Sequence, residues 1–300
     1  MPEHHRTGSE TVLLRPRASD CPCIGNWTVV ELLDEGAWSR VYRARPRDSS
    51  ACAPSDYAIK VARPSQETAT SWRLLRREAQ VGQAVSHPHL ACILAAHLKR
   101  PPYYLVSPFV EGVSLQATLA AVEQLSPPQA LWIGRQTAEA LQALHEQGWL
   151  HCDLKPSNIL VSPDGHTTLL DLSLAAPLAE TQAGGEVPLT GTLAYAAPEV
   201  LGTVLHRSPA SDVYSLGVTL YQILTGVLPF PATSAAELAQ AHLCEPPPDP
   251  RRHNPRVTTR LASLLRKMLA KQAEHRPTGS ELVAMLADLE IDMFAERFAA

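Results

Sequence analysis

The sequence predicts an α+β fold of two unequal lobes, a small β-rich N-terminal lobe followed by a larger α-helical one. Three observations carry this. Runs of β-branched and aromatic residues recur between Trp27 and Val61, with a turn-forming stretch inside them. After Gly112 the apolar period becomes that of helices. Before Trp27 there is no apolar period at all. The 300 residues are 45% hydrophobic, enough for a sizeable core, and carry a formal net charge of -4. That mild negative balance argues against general nucleic-acid affinity. No run approaches the roughly 20 apolar residues that cross a bilayer, and the N-terminus MPEHHRTGSE lacks the apolar stretch of a signal peptide. A cytoplasmic protein without membrane insertion is the expectation. Cys21, Cys23, Cys52, Cys92, Cys152 and Cys244 form no spaced framework, so reduced thiols are expected.

Residues 1–26 read as a flexible tail, with order beginning near Trp27. Trp27 to Leu33, Val41 to Ala44 and Tyr57 to Val61 read as strands, and Pro46 to Asp56 as a hairpin loop. A helix is expected from Thr68 to Val85, ending before His87-Pro88. Leu90 to Leu98 and Tyr103 to Ser107 fit two further strands. Ser126-Pro127 is a helix start, and Ala130, Ile133, Thr137, Leu141 and Leu144 share one face of that helix. Ile159 to Val161 and Thr167 to Leu170 fit short strands joined by the turn Pro163-Asp164-Gly165. Val213 to Leu224 is apolar nearly all round and reads as a buried helix that Gly226 ends. Helices from about Ala235, Thr258 and Thr278 complete the chain, with a stiff proline-rich loop, Glu245 to Pro250, among them. Residues 27–290 form one domain on this reading: a first lobe over 27–107, a linker over 108–112 and a second lobe over 113–290. Residues 291–300 are its C-terminal end. A cleft between two such lobes is a natural ligand site.

The chemistry concentrates in His151-Cys152-Asp153-Leu154-Lys155-Pro156-Ser157-Asn158. Asp153 can take a proton from an attacking hydroxyl, and Lys155 can offset charge on a moving phosphoryl group. Asn158 offers an amide oxygen to a metal. Asp171, at the end of the next apolar run, offers a carboxylate; such hard oxygens suit Mg2+. Four suitable groups at this spacing are what phosphoryl transfer needs.

With these motifs the chain resembles the eukaryotic-type protein kinase superfamily, and most of all the compact bacterial Ser/Thr kinases, from about Trp27 to Leu289. The resemblance implies a bilobal protein-kinase-like fold, with ATP and Mg2+, or Mn2+ in its place, as cofactors. It implies a protein substrate with a Ser or Thr acceptor, and autophosphorylation as well. Tyr57-Ala58-Ile59-Lys60 resembles the third-strand motif whose Lys grips the α- and β-phosphates, with Glu78 as its ion-pair partner. By the same resemblance Gly36, Val41, Ala58, Ser107, Pro108, Val110 and Leu160 line the nucleotide site, and Asn158 and Asp171 hold the metal. Asp153 and Lys155 are the catalytic pair. Glu199 of Ala197-Pro198-Glu199 should pair with Arg276, while Asp212 should cap its helix and brace the catalytic loop. Ser/Thr specificity rests on Lys155 and on Gly191-Thr192, whose Thr this Lys would touch.

Four departures from the family pattern stand out. The phosphate loop, Asp34 to Val41, keeps only Gly36 of three glycines, with Asp34 and Ser39 in the other places. Asp34 brings negative charge towards an anion. Cys152 stands where an Arg usually precedes the base, so a phosphate at Thr181 or Thr190 has lost one clamp. Activity is therefore expected to depend little on phosphorylation of that segment. Asp171-Leu172-Ser173 replaces Asp-Phe-Gly, and Ser173 lacks glycine's freedom at positive φ. The linker reads Ser107-Pro108, so the gatekeeper is small and one backbone N–H is missing. These departures motivate a second reading, a pseudokinase that binds nucleotide or acts as a scaffold. A kinase of small molecules is a third, disfavoured by the Ala-Pro-Glu segment.

Overall fold

The computed structural model describes residues 22–50, 52–63, 68–181, 193–201 and 206–299. The small lobe is a six-stranded antiparallel sheet in the order β1-β2-β3-β4-β6-β5. Its strands are β1 (Cys23–Ile24), β2 (Trp27–Glu35), β3 (Ser39–Pro46), β4 (Tyr57–Ala62), β5 (Ala95–His97) and β6 (Tyr104–Pro108). Order therefore starts ahead of Trp27. Gly25, at φ 57, and Asn26 form a two-residue turn that folds β1 back onto β2. The rest of the expected tail lies outside the described residues. Register shifts between Val29 and Glu31, and between Leu32 and Asp34, curl β2 and β3 over the lobe. Ala44, Ile59, Tyr104 and Val106 fill one side of the sheet. On the other, Leu75 and Ala79 of α1 (Thr68–Ala84) pack against Ala62 and Leu105.

Of the expected strand over Leu90 to Leu98, only Ala95–His97 pairs as strand; Leu90 instead makes an isolated parallel bridge to Leu169 in the other lobe. That bridge couples the lobes through buried apolar side chains, since both Leu90 and Leu169 belong to the large core.

The large lobe begins with β7 (Val113–Ser114) and α2 (Leu115–Ala121). Neither has a distinct sequence signal, because Leu115 to Ala121 is too short to display a helical period. The helix α3 (Pro127–Glu146) starts at a Ser126/Gln129 capping box with Pro127 in its first turn. The strands β8 (Trp149–Leu150), β9 (Ile159–Val161), β10 (Thr167–Leu169) and β11 (Ala176–Pro177) then form short antiparallel pairs, β9 with β10 and β8 with β11. They present the loops between them at the mouth of the cleft. The helices α4 (Leu178–Thr181), α5 (Pro198–Leu201), α6 (Pro209–Thr225), α7 (Ala235–Cys244), α8 (Thr259–Met268) and α9 (Gly279–Ala299) complete the lobe.

The all-round apolarity of α6 has its expected outcome. Val213, Leu216, Val218, Leu220, Ile223 and Leu224 are all buried. Each such side chain contributes about 1.5–3 kcal/mol of transfer free energy. Two glycines let neighbours come close: a Cβ at Gly134 of α3 would lie 2.8 Å from Leu220, and one at Gly217 would lie 2.9 Å from Met268 of α8. Gly226 ends α6 in the left-handed conformation. Asp212 does not cap this helix, contrary to expectation. Ser208 does so, through a capping box with Ser211, which leaves the Asp212 carboxylate for other partners.

Candidate active site

Between the lobes lies a cleft of about 2190 Å³. Its small-lobe wall includes Gly36, Val41, Ala58 and Lys60; Ser107, Pro108 and Val110 line the back, and Asp153, Lys155, Asn158, Leu160 and Asp171 the floor. Glu78 borders the same space. The sequence-expected residues thus converge on one crevice.

Lys60 sits on β4, one strand in from the curled hairpin, and α1 carries Glu78 up to it. Lys60 Nζ lies 2.6 Å from Glu78 Oε2 and 2.6 Å from Asp171 Oδ1. Burial works against the ammonium charge, but the two carboxylates outweigh it and hold Lys60 above its ordinary value. For Asp171 burial is likewise opposed by Lys60, and the net effect keeps its carboxyl well below the usual range. Burial wins at Glu78, which is raised despite Lys60. Asp171 is therefore an anion at neutral pH, the form a hard cation requires.

The floor of the cleft is fixed by its own polar network. Lys155 Nζ donates to Asp153 Oδ2 at 2.7 Å, and Asn158 Nδ2 donates to the Asp153 carbonyl at 2.8 Å and to Oδ2 at 3.1 Å. One Asp153 oxygen is thus occupied, which leaves Oδ1 for a hydroxyl. The Asn158 amide nitrogen faces Asp153, so its oxygen is turned away from that carboxylate. His151 Nδ1 accepts from the Asp153 N–H at 3.2 Å, so the ring carries its proton on Nε2, which donates to the Leu170 carbonyl at 3.1 Å. Asp212 Oδ2 accepts from the His151 N–H at 2.9 Å and Oδ1 from the Cys152 N–H at 3.0 Å. His145 Nε2 lies 2.8 Å from the same carboxylate. These bonds hold Cys152 at φ 67, a left-handed conformation that non-glycine residues seldom adopt. Asp171 is also left-handed, at φ 59. In the Asp171-Leu172-Ser173 motif the positive φ falls on Asp171 and not on Ser173, so the loss of glycine's freedom there is accommodated, and Ser173 donates its N–H to Asp171 Oδ1 at 3.3 Å. Leu172 is buried in the core as an apolar anchor.

At the phosphate loop, the Gly36 N–H donates to the Ser39 carbonyl at 2.9 Å. Arg63 Nη1 holds the Gly36 carbonyl at 3.0 Å, and Arg40 and Arg63 both pair with Glu35. This arginine clasp was not legible in the sequence: its members are close only once three strands are in register. A Cβ at Gly36 would meet nothing nearer than the Ser39 carbonyl at 3.7 Å. The protein itself does not require glycine there; only a close-approaching ligand would. At the linker, Ser107 Oγ reaches the Ala58 carbonyl at 3.4 Å, and Pro108 pairs with Tyr57 at the end of β6.

Away from the cleft, Glu199 and Arg276 form the expected pair, with N–O distances of 2.7 and 2.8 Å. Thr190, Gly191 and Thr192 lie outside the described residues, so the expected contact of Lys155 with Thr192 does too; Lys155 is engaged by Asp153.

The site fits a nucleotide triphosphate with a divalent ion. The cleft has apolar walls, the cations Lys60 and Lys155 within it, and hard oxygen donors at Asn158 and Asp171. Among the described residues no group of three or more His, Cys, Asp or Glu side chains could hold a metal alone. A metal here would have to be shared with phosphate oxygens, the usual habit of Mg2+. Among the described residues, no helix is long and apolar enough to cross a membrane.

Comparison with known proteins agrees with this geometry. The family model described as the protein kinase domain matches residues 27–286. The serine/threonine-protein kinase PrkC of Bacillus subtilis is 30% identical over 274 residues, which cover 91% of this chain and 41% of that protein. The serine/threonine-protein kinase PknB of Mycolicibacterium smegmatis is 35% identical over 268 residues, covering 85% of this chain and 41% of its own. PknB of Mycobacterium tuberculosis is 32% identical over 272 residues, with the same coverage of 85% and 41%. The chain thus spans well under half the length of these relatives.

Proposed function

The chain belongs to the protein kinase domain family, and from that premise we propose that it transfers the γ-phosphoryl group of ATP to Ser or Thr hydroxyls of a protein, its own among them. The observation that carries the reading is the convergence of Lys60, Glu78 and Asp171, with the Asp153–Lys155–Asn158 network beside them, on one crevice.

ATP with Mg2+, when bound, supplies the phosphoryl group and the positive charge that neutralises its oxygens. Lys60, held by Glu78, binds the phosphates; Asn158 and Asp171 hold the metal. Val41, Ala58, Leu160 and the linker residues Ser107, Pro108 and Val110 enclose the base, and Gly36 leaves room above the phosphates. Asp153 Oδ1 receives the hydroxyl of the acceptor and takes its proton. Lys155 shields the Asp153 carboxylate from water and offsets negative charge as the oxygen attacks. Catalysis on this account is positioning and preorganised electrostatics, with no covalent enzyme intermediate. ATP and protein acceptors are both available in the cytoplasm, where we place a role in signalling.

The second reading is a pseudokinase. Asp34, facing the cleft from the glycine-poor loop, favours it, because a carboxylate near the phosphates opposes their binding. Incubation with labelled ATP and Mg2+ separates the two. Transfer of label to the chain or to a test protein, lost in Asp171→Ala, is expected; nucleotide binding without any transfer would establish the pseudokinase instead.

A further inference from the structure

The loop that folds β2 back onto β3 is held from behind by one residue. Arg63, just past the end of β4, donates its backbone N–H to the Trp38 carbonyl at 2.9 Å and its Nη1 to the Gly36 carbonyl at 3.0 Å. The Ser39 carbonyl accepts the Gly36 N–H at 2.9 Å. Of the described residues, Ala37, Trp38 and Ser39 line the cleft and Arg63 does not. The arginine therefore holds the loop from its far side.

The direction of a carbonyl decides the direction of the next amide. In a trans peptide the C=O of one residue and the N–H of the following one point opposite ways. With the Gly36 and Trp38 carbonyls fixed on Arg63, the N–H groups of Ala37 and Ser39 point away from it, towards the side of the loop that borders the cleft. A carbonyl swung into the cleft would turn its negative end to the phosphates, whereas an N–H offers its positive end. Charge follows the same plan. Arg40 and Arg63 share Glu35, so these three side chains leave one positive charge behind the loop, against the negative charge that Asp34 brings to the cleft. The side chains of these pairs are 37% to 42% exposed, so the pairing adds little stability. What the clasp supplies is direction.

We propose that Arg63 is a positioning residue for a nucleoside triphosphate: its side chain keeps the Gly36 carbonyl out of the cleft and so presets the loop amides for the phosphates. This rests on the kinase reading and extends it to a residue that acts through the loop without touching the ligand. A loop arranged beforehand needs no ordering when the nucleotide arrives.

The test is equilibrium binding to the full chain, by calorimetry, of adenosine and of the imido analogue of ATP with Mg2+. It needs no turnover. Arg63→Met frees the Gly36 carbonyl and keeps the Trp38 bond, which belongs to the backbone. It should weaken the analogue about tenfold, the worth of one charge-assisted hydrogen bond, and adenosine less than about twofold. Arg63→Lys, which retains a charged donor, should fall between Arg63→Met and wild type. Arg40→Gln removes the same charge but no carbonyl bond, and should weaken the analogue less than about threefold. Equal losses of analogue and adenosine in Arg63→Met would make Arg63 a general support of the small lobe and overturn the proposal. An unchanged analogue affinity would overturn it too, as would a loss in Arg40→Gln as large as in Arg63→Met, which assigns the effect to charge alone. A wild type that bound the analogue no more tightly than adenosine would instead sink the kinase reading, and this role with it.

Discussion

At the scale of single residues, the decisive feature is that Asp153 is held on one side by fixed partners and left open on the other. Asp153 spends Oδ2 on Lys155 and Asn158 and leaves Oδ1 for a hydroxyl. Asp153→Asn should therefore lower kcat by at least about 100-fold while nucleotide affinity changes little, as single-turnover kinetics and equilibrium binding would resolve. A variant with the wild-type rate would remove Asp153 from the role of base. A second residue-scale prediction concerns His242, which is wholly buried against Tyr214 with Lys271 nearby. Burial first and Lys271 second lower it to about 4. The unfolded chain then takes up the proton first as pH falls. Stability is at its full value above about pH 6.5 and is lost on the way down to about pH 4, by up to about 3 kcal/mol. Midpoints measured across that window should fall less steeply for His242→Asn than for wild type.

At the scale of elements, helix ends and helix contacts carry the specification. Gly226 closes α6 at φ 77, and a Cβ there would lie 2.4 Å from the Glu123 carbonyl. Gly148 has a similar φ of 73 but nothing within 4 Å of its missing Cβ. Gly148→Ala should cost about 1 kcal/mol, the conformational part alone, and Gly226→Ala clearly more, about 2–3 kcal/mol. Urea unfolding of the two variants side by side measures the difference; equal losses would mean that the Glu123 loop yields freely. Elements with strong local signals were legible in the sequence. The helix from Ser126-Pro127, the buried helix ended by Gly226 and the strand Ile159–Val161 stand where pattern and punctuation put them. The two-residue pairs β7, β8 and β11 were not, since tertiary pairing alone makes them strands. Likewise Asp212 reads as a helix cap locally, whereas its real partners are loop amides some sixty residues away.

At the scale of the whole molecule, the site was legible as a set of residue types because the catalytic loop keeps its ligands within eight positions. The small-lobe contribution was legible only by resemblance: Lys60, Glu78 and Asp171 are separated by 18 and 111 positions in their pairings. The large lobe is tied together at one buried ion pair, where Arg276 joins the segment before α9 to Glu199 of α5 and to the start of α6. Arg276→Met strands the Glu199 carboxylate and should cost about 3–5 kcal/mol. Calorimetry should show the loss, and Glu199→Gln in the same background should recover part of it.

The hanging of the catalytic loop from Asp212 has one more consequence. The backbone protons of His151 and Cys152 are locked onto a carboxylate that is itself buried in α6. In deuterated solvent they should be among the last of any loop amides to wash out, leaving only when the helical lobe opens as a unit. Two resonances outside regular secondary structure would then report the integrity of the whole lobe.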